Sequence, residues 1–326
     1  MNTSPEPLIR VEHIKKYFPV KLGAYGDKKA TVHAVDDVSF EIFQGETLSL
    51  VGESGCGKST TGYTLLQLHR ATAGVCFYKD VNLTELSDNQ LRPYRQKIQI
   101  IFQDPYSTLN PRMTIGTAIA EPMMTHKIAT KDNVAEKVVQ LLKDVGLTER
   151  AVNRYPHEFS GGQRQRICIA RALACNPEFL VCDEPISALD VSIQAQIINL
   201  LQDLQEKYNL TYLFIAHDLS VVRHISNRVG VMYLGKLAEL GDKDLVFYNT
   251  LHPYTKALLS AVPQPNPHTE KTRKRQVLTG EIPSAINPPS GCHFHPRCPL
   301  ATDLCKKTVP EWRKMEDGRF IACHAA

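Results

Sequence analysis

The sequence predicts an α/β fold with a mostly parallel sheet flanked by helices, from about Leu8 to Asp218. In this region short β-rich runs alternate with longer helical patterns, as in strands joined by helical crossovers. The runs are continuously apolar, which is typical of strands covered on both faces. They are Thr47–Val51, Ile98–Phe102, Phe179–Cys182 and Tyr212–Ala216. Because ligands bind beyond the carboxyl ends of such strands, we expect these four ends to form one site.

The composition indicates a soluble globular protein that can bury a core, since 43% of the residues are hydrophobic and 22% are charged. The net charge of +4 is too small to indicate a nucleic-acid binder. No apolar run reaches the roughly 18 residues that span a bilayer, and the first residues lack the apolar core of a secretory signal. We therefore expect a reducing compartment, in which the nine cysteines do not form a disulfide framework.

The first apolar run leads into the motif GESGCGKS at Gly52–Ser59, which fits the phosphate-binding pattern G-x-x-x-x-G-K-[ST]. A helix is predicted directly afterwards, over Thr60–His69. Glycines let the backbone N–H groups close around phosphates, Lys58 adds a positive charge, and the Ser59 hydroxyl can bind Mg²⁺. The predicted nucleotide-binding residues are Gly52, Glu53, Ser54, Gly55, Cys56, Gly57, Lys58, Ser59 and Thr60.

Polar side chains follow the other three runs. Asp183 and Glu184 end one strand, and two adjacent buried carboxylates are costly unless cations or ligand groups meet them. We expect Asp183 to hold Mg²⁺ and Glu184 to deprotonate the attacking water. Gln103 and His217 end the remaining runs.

A second anion-binding helix terminus is predicted at Ser160–Arg166 (SGGQRQR). Ser160 is a good N-cap, and apolar residues recur at helical spacing over Gln163–Ala174. Paired glycines at a helix start allow a ligand to approach the backbone closely, and helix N-termini attract anions. One nucleotide cannot easily use both helix ends of one monomer. We therefore expect a head-to-tail dimer, with each ATP between one chain's phosphate loop and the residues Ser160, Gly161, Gly162 and Gln163 of the other.

Together these motifs resemble the ATP-binding cassette family. Phe159–Gln163 (FSGGQ) is similar to its LSGGQ signature, with Phe in place of Leu. The resemblance implies that Gln103 touches Mg²⁺ or the nucleophilic water, that Asp190 belongs to the D-loop, and that His217 contacts the γ-phosphate. Tyr17 is the candidate for the aromatic side chain that stacks on adenine, with a core tyrosine as the alternative.

The resemblance also implies an organisation into parts. The nucleotide-binding domain would cover residues 1–255, with an N-terminal antiparallel β subdomain and a helical signature subdomain over about residues 104–175. Residues 256–326 would form a proline-rich linker and a small cysteine-rich extension. Within this part, Lys271–Arg275 (KTRKR) is expected to be solvated linker. An early polar segment, Lys21–Thr31, is predicted to be a surface loop.

The flanking segments are similar to the ATPase subunits of bacterial peptide importers, above all to the second ATPase of dipeptide importers. These segments are Gln103–Arg112, Tyr155–His157, His252–Thr255 and the tail from Gly291. The likeness implies an ATPase that energises import of dipeptides or short peptides. Its partners would be a second cassette ATPase, two transmembrane permeases and, indirectly, an external peptide-binding protein, with no nucleic acid. Its place would be peripheral, on the cytoplasmic face of the bacterial inner membrane.

Three alternatives remain at this point. One is the ATPase of an oligopeptide or nickel importer of the same family. Another is a soluble cassette ATPase of translation or DNA repair, although such chains usually carry two cassettes or long coiled-coil insertions. The third is an exporter component, although exporter cassettes are commonly fused to transmembrane helices.

The tail contains four cysteines, Cys292, Cys298, Cys305 and Cys323, with the spacing C-x5-C-x6-C-x17-C. Four thiolates suit zinc or an iron–sulfur cluster, and free or oxidised thiols are the third alternative. Further ligands that would favour zinc are His293, His295 and His324. The family resemblance implies a [4Fe–4S] cluster on the four cysteines, and a metal centre would stabilise a tail of low apolar content.

Overall fold

The computed structural model describes residues 6–22, 28–261, 278 and 280–326. The strands are β1 (Pro7–Leu22), β2 (Lys28–Phe43), β3 (Thr47–Val51), β4 (Ala73–Tyr78), β5 (Val81–Asn82), β6 (Ile98–Ile101), β7 (Phe179–Asp183), β8 (Thr211–Ile215), β9 (Arg228–Tyr233), β10 (Lys236–Asp242), β11 (Arg313–Lys314) and β12 (Phe320–Ile321). The helices are α1 (Lys58–Leu65), α2 (Asp88–Lys97), α3 (Pro105–Thr108), α4 (Ile115–Thr125), α5 (Val134–Asp144), α6 (Gly161–Leu173), α7 (Val191–Tyr208), α8 (Leu219–Ile225), α9 (Lys243–Tyr248), α10 (Pro253–Ser260) and α11 (Asp303–Lys307).

The described chain divides into two compact units. Unit 1 takes its residues from Met1–Ile42, Leu48–Thr84 and Ala216–Ala326, and unit 2 takes its residues from Phe43–Thr47 and Glu85–Ile215. Among the described residues, none of the helices combines the length and the hydropathy needed to cross a bilayer.

Unit 2 contains the parallel strands β6, β7 and β8, in that lateral order. Their apolar side chains are almost entirely buried, as the continuous apolar runs predict. At their carboxyl ends Ile101 lies opposite Cys182, and Asp183 lies opposite Ile215. The ends of these three strands therefore meet at one edge, as predicted. Helices α3 to α6 all fall within residues 104–175.

Unit 1 contains a sheet with the order β2-β1-β4-β5, in which β4 runs antiparallel to both β1 and β5. Strands β1 and β2 extend into the region that was predicted to be a surface loop, Lys21–Thr31, because polar and apolar residues alternate along the start of β2. That loop prediction was therefore too long. Its remainder, residues 23–27, lies outside the described residues.

A second sheet of unit 1 has the order β11-β12-β10-β9-β3. Strand β3 is parallel to β9, whereas β10 is antiparallel to β9 and to β12. The reversal occurs at Leu234 (φ 44°) and Gly235 (φ 80°), a two-residue turn with the positive φ angles that tight hairpins require. The prediction of a mostly parallel sheet is therefore corrected to mixed sheets.

The end of the chain joins this second sheet through β12, with Ile321 opposite Glu239 of β10. A buried ion pair fixes the contact, since an Arg319 guanidinium nitrogen lies 3.1 Å from a Glu239 carboxylate oxygen. Of the predicted linker, residues 280–290 form no helix or strand. Residues 262–277, which include Lys271–Arg275, lie outside the described part of the chain.

Candidate functional site

The phosphate loop, residues 52–59, is shaped by glycines that no other residue could replace without rearrangement. A Cβ on Gly52 (φ 150°) would lie 2.2 Å from the Met232 carbonyl oxygen. A Cβ on Gly57 (φ 108°) would lie 2.1 Å from the Ala34 carbonyl oxygen. Both contacts are far inside van der Waals distance, and both φ angles are ones that L side chains rarely adopt. Packing against β2 and β9 therefore holds the loop in the tight curve that phosphate binding needs.

Lys58 is the first residue of α1 and is only 5% exposed. Its ammonium group donates hydrogen bonds to the carbonyl oxygens of Gly52 (2.9 Å) and Glu53 (3.1 Å). The side chain thus arches back over the loop and places its positive charge beside the backbone amides. An ammonium in this position favours polyphosphate binding.

The remaining loop residues differ in exposure. Ser54 and Gly55 are exposed at the loop tip, and Ser59 and Thr60 are half-buried. Cys56 is buried, and this burial raises the pKa of its thiol. The Cys56 side chain therefore packs as an apolar group.

Glu53 has contacts that the sequence did not predict. Its backbone N–H donates to the Tyr254 hydroxyl (3.0 Å), and its two carboxylate oxygens accept from the guanidinium of Arg297 (2.8 and 3.0 Å). Arg297 lies in the cysteine-bearing tail, 244 positions away. No local pattern in the sequence signals this pair.

Two further predicted residues belong to unit 1. His217 is exposed in the turn that follows Ala216, whose N–H donates to the carbonyl oxygen of Leu50 in β3 (3.3 Å). His217 therefore follows a residue paired to the strand that leads into the phosphate loop. The Tyr17 hydroxyl donates to Asp36, and its ring centroid lies 4.3 Å from that of His33. Desolvation and the bond to Asp36 raise the pKa of Tyr17. Its stacking on adenine stays a prediction.

In unit 2 the structure brings two predicted catalytic residues together, since the side-chain amide of Gln103 donates to a Glu184 carboxylate oxygen at 2.9 Å. Glu184 has a φ of 44°, a conformation that is uncommon for residues other than glycine. Its N–H donates to the Ile215 carbonyl (3.0 Å), and its own carbonyl accepts from the Ser187 hydroxyl (3.1 Å). These two bonds fix the Glu184 backbone at the strand end, and the Gln103 amide holds its carboxylate. Asp183, the preceding residue, is 1% exposed.

The signature segment forms the predicted helix terminus. Ser160 caps α6 and accepts from the Gln163 N–H, while the Gln163 side-chain oxygen accepts from the Ser160 N–H (3.0 Å). A Cβ on Gly162 would lie 2.5 Å from the Ile193 side chain in α7, whereas one on Gly161 would make an ordinary contact with Leu189 at 3.5 Å. Gly162 is thus required by packing within the chain, and Gly161 is not. Asp190 is exposed and is the N-cap residue of α7.

Cys292 and Cys298 have thiols with raised pKa values. Burial, together with the nearby thiols of Cys305, Cys323 and Cys298, raises the pKa of Cys292 to about 11, although a backbone hydrogen bond from Phe294 opposes the shift. Burial likewise raises the pKa of Cys298. The Cys292 N–H also donates to the Cys305 carbonyl at 2.8 Å. Within the described ranges, however, no three His, Cys, Asp or Glu side chains are grouped so as to hold a metal ion. The donor type thus suits a metal centre, but the arrangement does not form an ion site.

The three histidines of the tail each face a backbone carbonyl. The ring nitrogens lie 3.0 Å from the Leu234 oxygen for His293, 2.9 Å from the Cys292 oxygen for His295, and 2.9 Å from the Thr308 oxygen for His324. The structure therefore gives each of these rings a structural hydrogen bond.

The chain matches two protein-family models. The ABC transporter model matches residues 35–187, and the model of the C-terminal region of oligopeptide/dipeptide transporters matches residues 238–305. The oligopeptide transport ATP-binding protein AppF of Bacillus subtilis is 54% identical over 320 residues, which are 98% of this chain and 97% of the relative. The dipeptide transport ATP-binding protein DppF of Haemophilus influenzae is 50% identical over 97% of this chain and 96% of its own length.

Among solved structures, the chain is similar to a dimeric, post-hydrolysis state of the ATP-binding cassette MJ0796 bound to ADP and Pi. The TM-score is 0.64 at 29% sequence identity, and the match covers 72% of this chain and 98% of that one.

Proposed function

The chain belongs to the ABC transporter family and is the ATP-binding subunit of a peptide importer, and we propose that Glu184 is the base with which it hydrolyses ATP. The observation that carries this assignment is the fixed Glu184 carboxylate, with Gln103 at 2.9 Å. The names of the relatives support dipeptides and oligopeptides as the cargo. They also favour an importer over a soluble cassette ATPase.

Each residue of the site has a role that follows from its chemistry. The amides of the phosphate loop and the ammonium of Lys58 bind the β- and γ-phosphates. Ser59, Gln103 and Asp183 would hold Mg²⁺, which neutralises charge on these phosphates. The Glu184 carboxylate accepts a proton from the attacking water, which Gln103 helps to orient. His217 would contact the γ-phosphate.

We predict that Glu184→Gln retains ATP binding and loses hydrolysis by a factor on the order of 10² to 10⁴, because the amide cannot accept the proton. ATP binding and phosphate release, measured on the purified full chain with its transporter partners, check this. The matched control is Glu149→Gln, since Glu149 is an exposed acid of the same unit.

Lys58→Ala should lose ATP binding itself. Normal hydrolysis by Glu184→Gln would contradict the role of Glu184, and normal binding by Lys58→Ala would contradict the nucleotide site.

Permease subunits are partners of such an ATPase, and we place their docking surface around Gln103 in unit 2. Large apolar side chains are exposed in this unit, among them Tyr106 (63%), Tyr155 (40%) and Phe102 (37%). The guanidinium of Arg164 lies 4.0 Å from the Tyr106 ring centroid and holds that ring in place. The resemblance to peptide importers also implies that the ATPase lies at the cytoplasmic face of the membrane, on two transmembrane permeases that an external binding protein serves.

For the tail we propose a [4Fe–4S] cluster on Cys292, Cys298, Cys305 and Cys323, with zinc as the rival. The proposal is supported by the four soft donors of the tail, and the described residues do not themselves group three of these side chains into an ion site. The extension would then be the part of the chain from residue 256 to residue 326.

Metal analysis tests this proposal. Anaerobically purified protein should be brown, with about four irons per chain. Cys305→Ser should lose this iron, whereas the matched control Cys175→Ser, a buried cysteine of unit 2, should keep it. Stoichiometric zinc without iron, or absence of both metals, would contradict the cluster.

A further inference from the structure

The phosphate loop contains a carboxylate at its second position, Glu53. A loop that binds a triphosphate gathers positive charge and N–H donors, and an unpaired carboxylate among them would repel the phosphates. The Glu53 side chain is 27% exposed, so solvent screens it only in part. This charge therefore has to be neutralised for tight nucleotide binding.

Arg297 supplies the neutralising charge from the tail. Its two terminal nitrogens meet the two Glu53 oxygens at 2.8 and 3.0 Å, which is the bidentate geometry that fixes a carboxylate in orientation as well as position. The Arg297 side chain is only 6% exposed, and one of its nitrogens also donates to the Tyr233 hydroxyl at 3.4 Å. Arg297 is thus held in place by the protein.

Two residues outside the tail, Tyr254 and Gly235, also contact the phosphate loop, and each of them is connected to the tail. The Glu53 N–H donates to the Tyr254 hydroxyl (3.0 Å), and the Tyr254 ring packs against Phe294 of the tail at a centroid distance of 5.3 Å. The second contact runs through the hairpin turn of β9 and β10. His293 of the tail donates to the Leu234 carbonyl, and the next residue, Gly235, donates its N–H to the Cys56 carbonyl at 2.9 Å. The tail therefore contacts Glu53 directly and reaches Cys56 indirectly, through the hairpin turn.

We propose that Arg297 is a positioning residue for the phosphate loop: it neutralises Glu53 and holds its carboxylate towards the tail, so that the tail sets the affinity of the loop for nucleotide phosphates. The proposal rests on the proposed function only in taking residues 52–59 as the nucleotide site. It assigns the tail a role in nucleotide binding that holds with or without a metal on its cysteines.

Nucleotide binding by variants of the full chain tests the proposal. Arg297→Ala should weaken Mg·ATP binding about tenfold, which corresponds to ~1.4 kcal/mol, and should weaken AMP binding less because AMP carries less charge. Arg297→Lys should recover only part of the affinity. The ammonium group restores the positive charge, but a point charge cannot form both hydrogen bonds. In the Glu53→Gln background, Arg297→Ala should weaken Mg·ATP binding at most twofold, since no carboxylate remains to be neutralised.

The control is Lys306→Ala, which removes an exposed tail cation that pairs with Asp303 and does not touch the loop in the structure. A purely structural role for Arg297 would give the same loss in both Glu53 backgrounds and for every nucleotide, and this result would overturn the proposal. Normal ATP binding by Arg297→Ala, together with lost ATP binding by Lys58→Ala, would also overturn the proposal. In that case the assignment of the nucleotide site itself would still stand. If Lys58→Ala also binds ATP normally, the assignment of the nucleotide site itself fails.

Discussion

At the scale of single residues, His252 shows how one enclosed side chain prepares the phosphate loop. The residue is 3% exposed and caps α10, where its Nδ1 accepts the Tyr254 N–H at 3.1 Å. A histidine that accepts a hydrogen bond at Nδ1 must be neutral. The cap fixes the start of α10, and with it the Tyr254 hydroxyl that accepts from Glu53. Protonation of His252 would therefore disturb a contact of the loop.

The charge state of His252 makes stability depend on pH. Burial lowers the pKa of His252 to about 4, although the Glu239 carboxylate and a backbone hydrogen bond to Ala322 oppose the shift. Between about pH 6.5 and 4 the unfolded chain binds a proton that the folded chain does not, so stability falls as the pH is lowered through this range. From pH 7 to 5 this group should remove about 2 kcal/mol from the free energy of unfolding.

Urea unfolding of the wild type and of His252→Asn at the two pH values measures this effect. Asparagine offers an oxygen to the Tyr254 N–H but does not titrate, so its curve should lose about 2 kcal/mol less than the wild type between pH 7 and 5. An equal loss in both proteins would show that other groups cause the pH dependence.

At the scale of elements, the strands that line the site could be predicted because their signal is local. A run of apolar residues that ends at a polar side chain identifies a doubly covered strand within about a residue, as for β7, predicted to end at Cys182 and observed to end at Asp183. The start of helix α6 was likewise predicted from the cap residue Ser160 and the paired glycines Gly161 and Gly162. Local chemistry is sufficient in these cases because the same few residues determine both the conformation and the ligand contacts.

The attachment of the tail could not be predicted, because its contacts join residues far apart in the sequence. Glu53 and Arg297 are 244 positions apart, and Arg319 reaches Glu239 from 80 positions away. Strand β12 has only two residues, too few for a period to be recognised. Its place beside β10 is set by the buried ion pair and by the strand edge that it covers. The cysteine spacing, although conspicuous, carried no information about these contacts.

At the scale of the whole molecule, the two helix N-termini that are predicted to bind phosphate belong to different units. The phosphate loop and α1 are in unit 1, and the signature helix α6 is in unit 2. The head-to-tail dimer, in which each ATP lies between the phosphate loop of one cassette and Ser160–Gln163 of another, stays a prediction.

Complementation between two inactive variants tests this dimer. Lys58→Ala disables the loop, and Gly161→Asp places a negative charge at the signature terminus. Gly161 suits this purpose because a Cβ there makes only an ordinary 3.5 Å contact, whereas Gly162→Asp would clash with Ile193. In a head-to-tail pair of the two variants, one intact loop faces one intact signature. We therefore expect each variant alone to be nearly inactive and their mixture to regain about a quarter of the wild-type rate, because half of the pairs are mixed and each has one working site of two.

The concentration dependence of hydrolysis provides the second measurement. The rate per chain should rise with chain concentration and then saturate, because pairing precedes hydrolysis. If the isolated chain pairs only with a paralogous cassette, the same titration against that partner should saturate at one partner per chain, and Gly161→Asp should then silence the partner's site rather than its own. A rate per chain that does not change with chain concentration, with no regain of activity in any mixture, would mean that one chain hydrolyses ATP alone. Gly162 would then have only its packing role against α7.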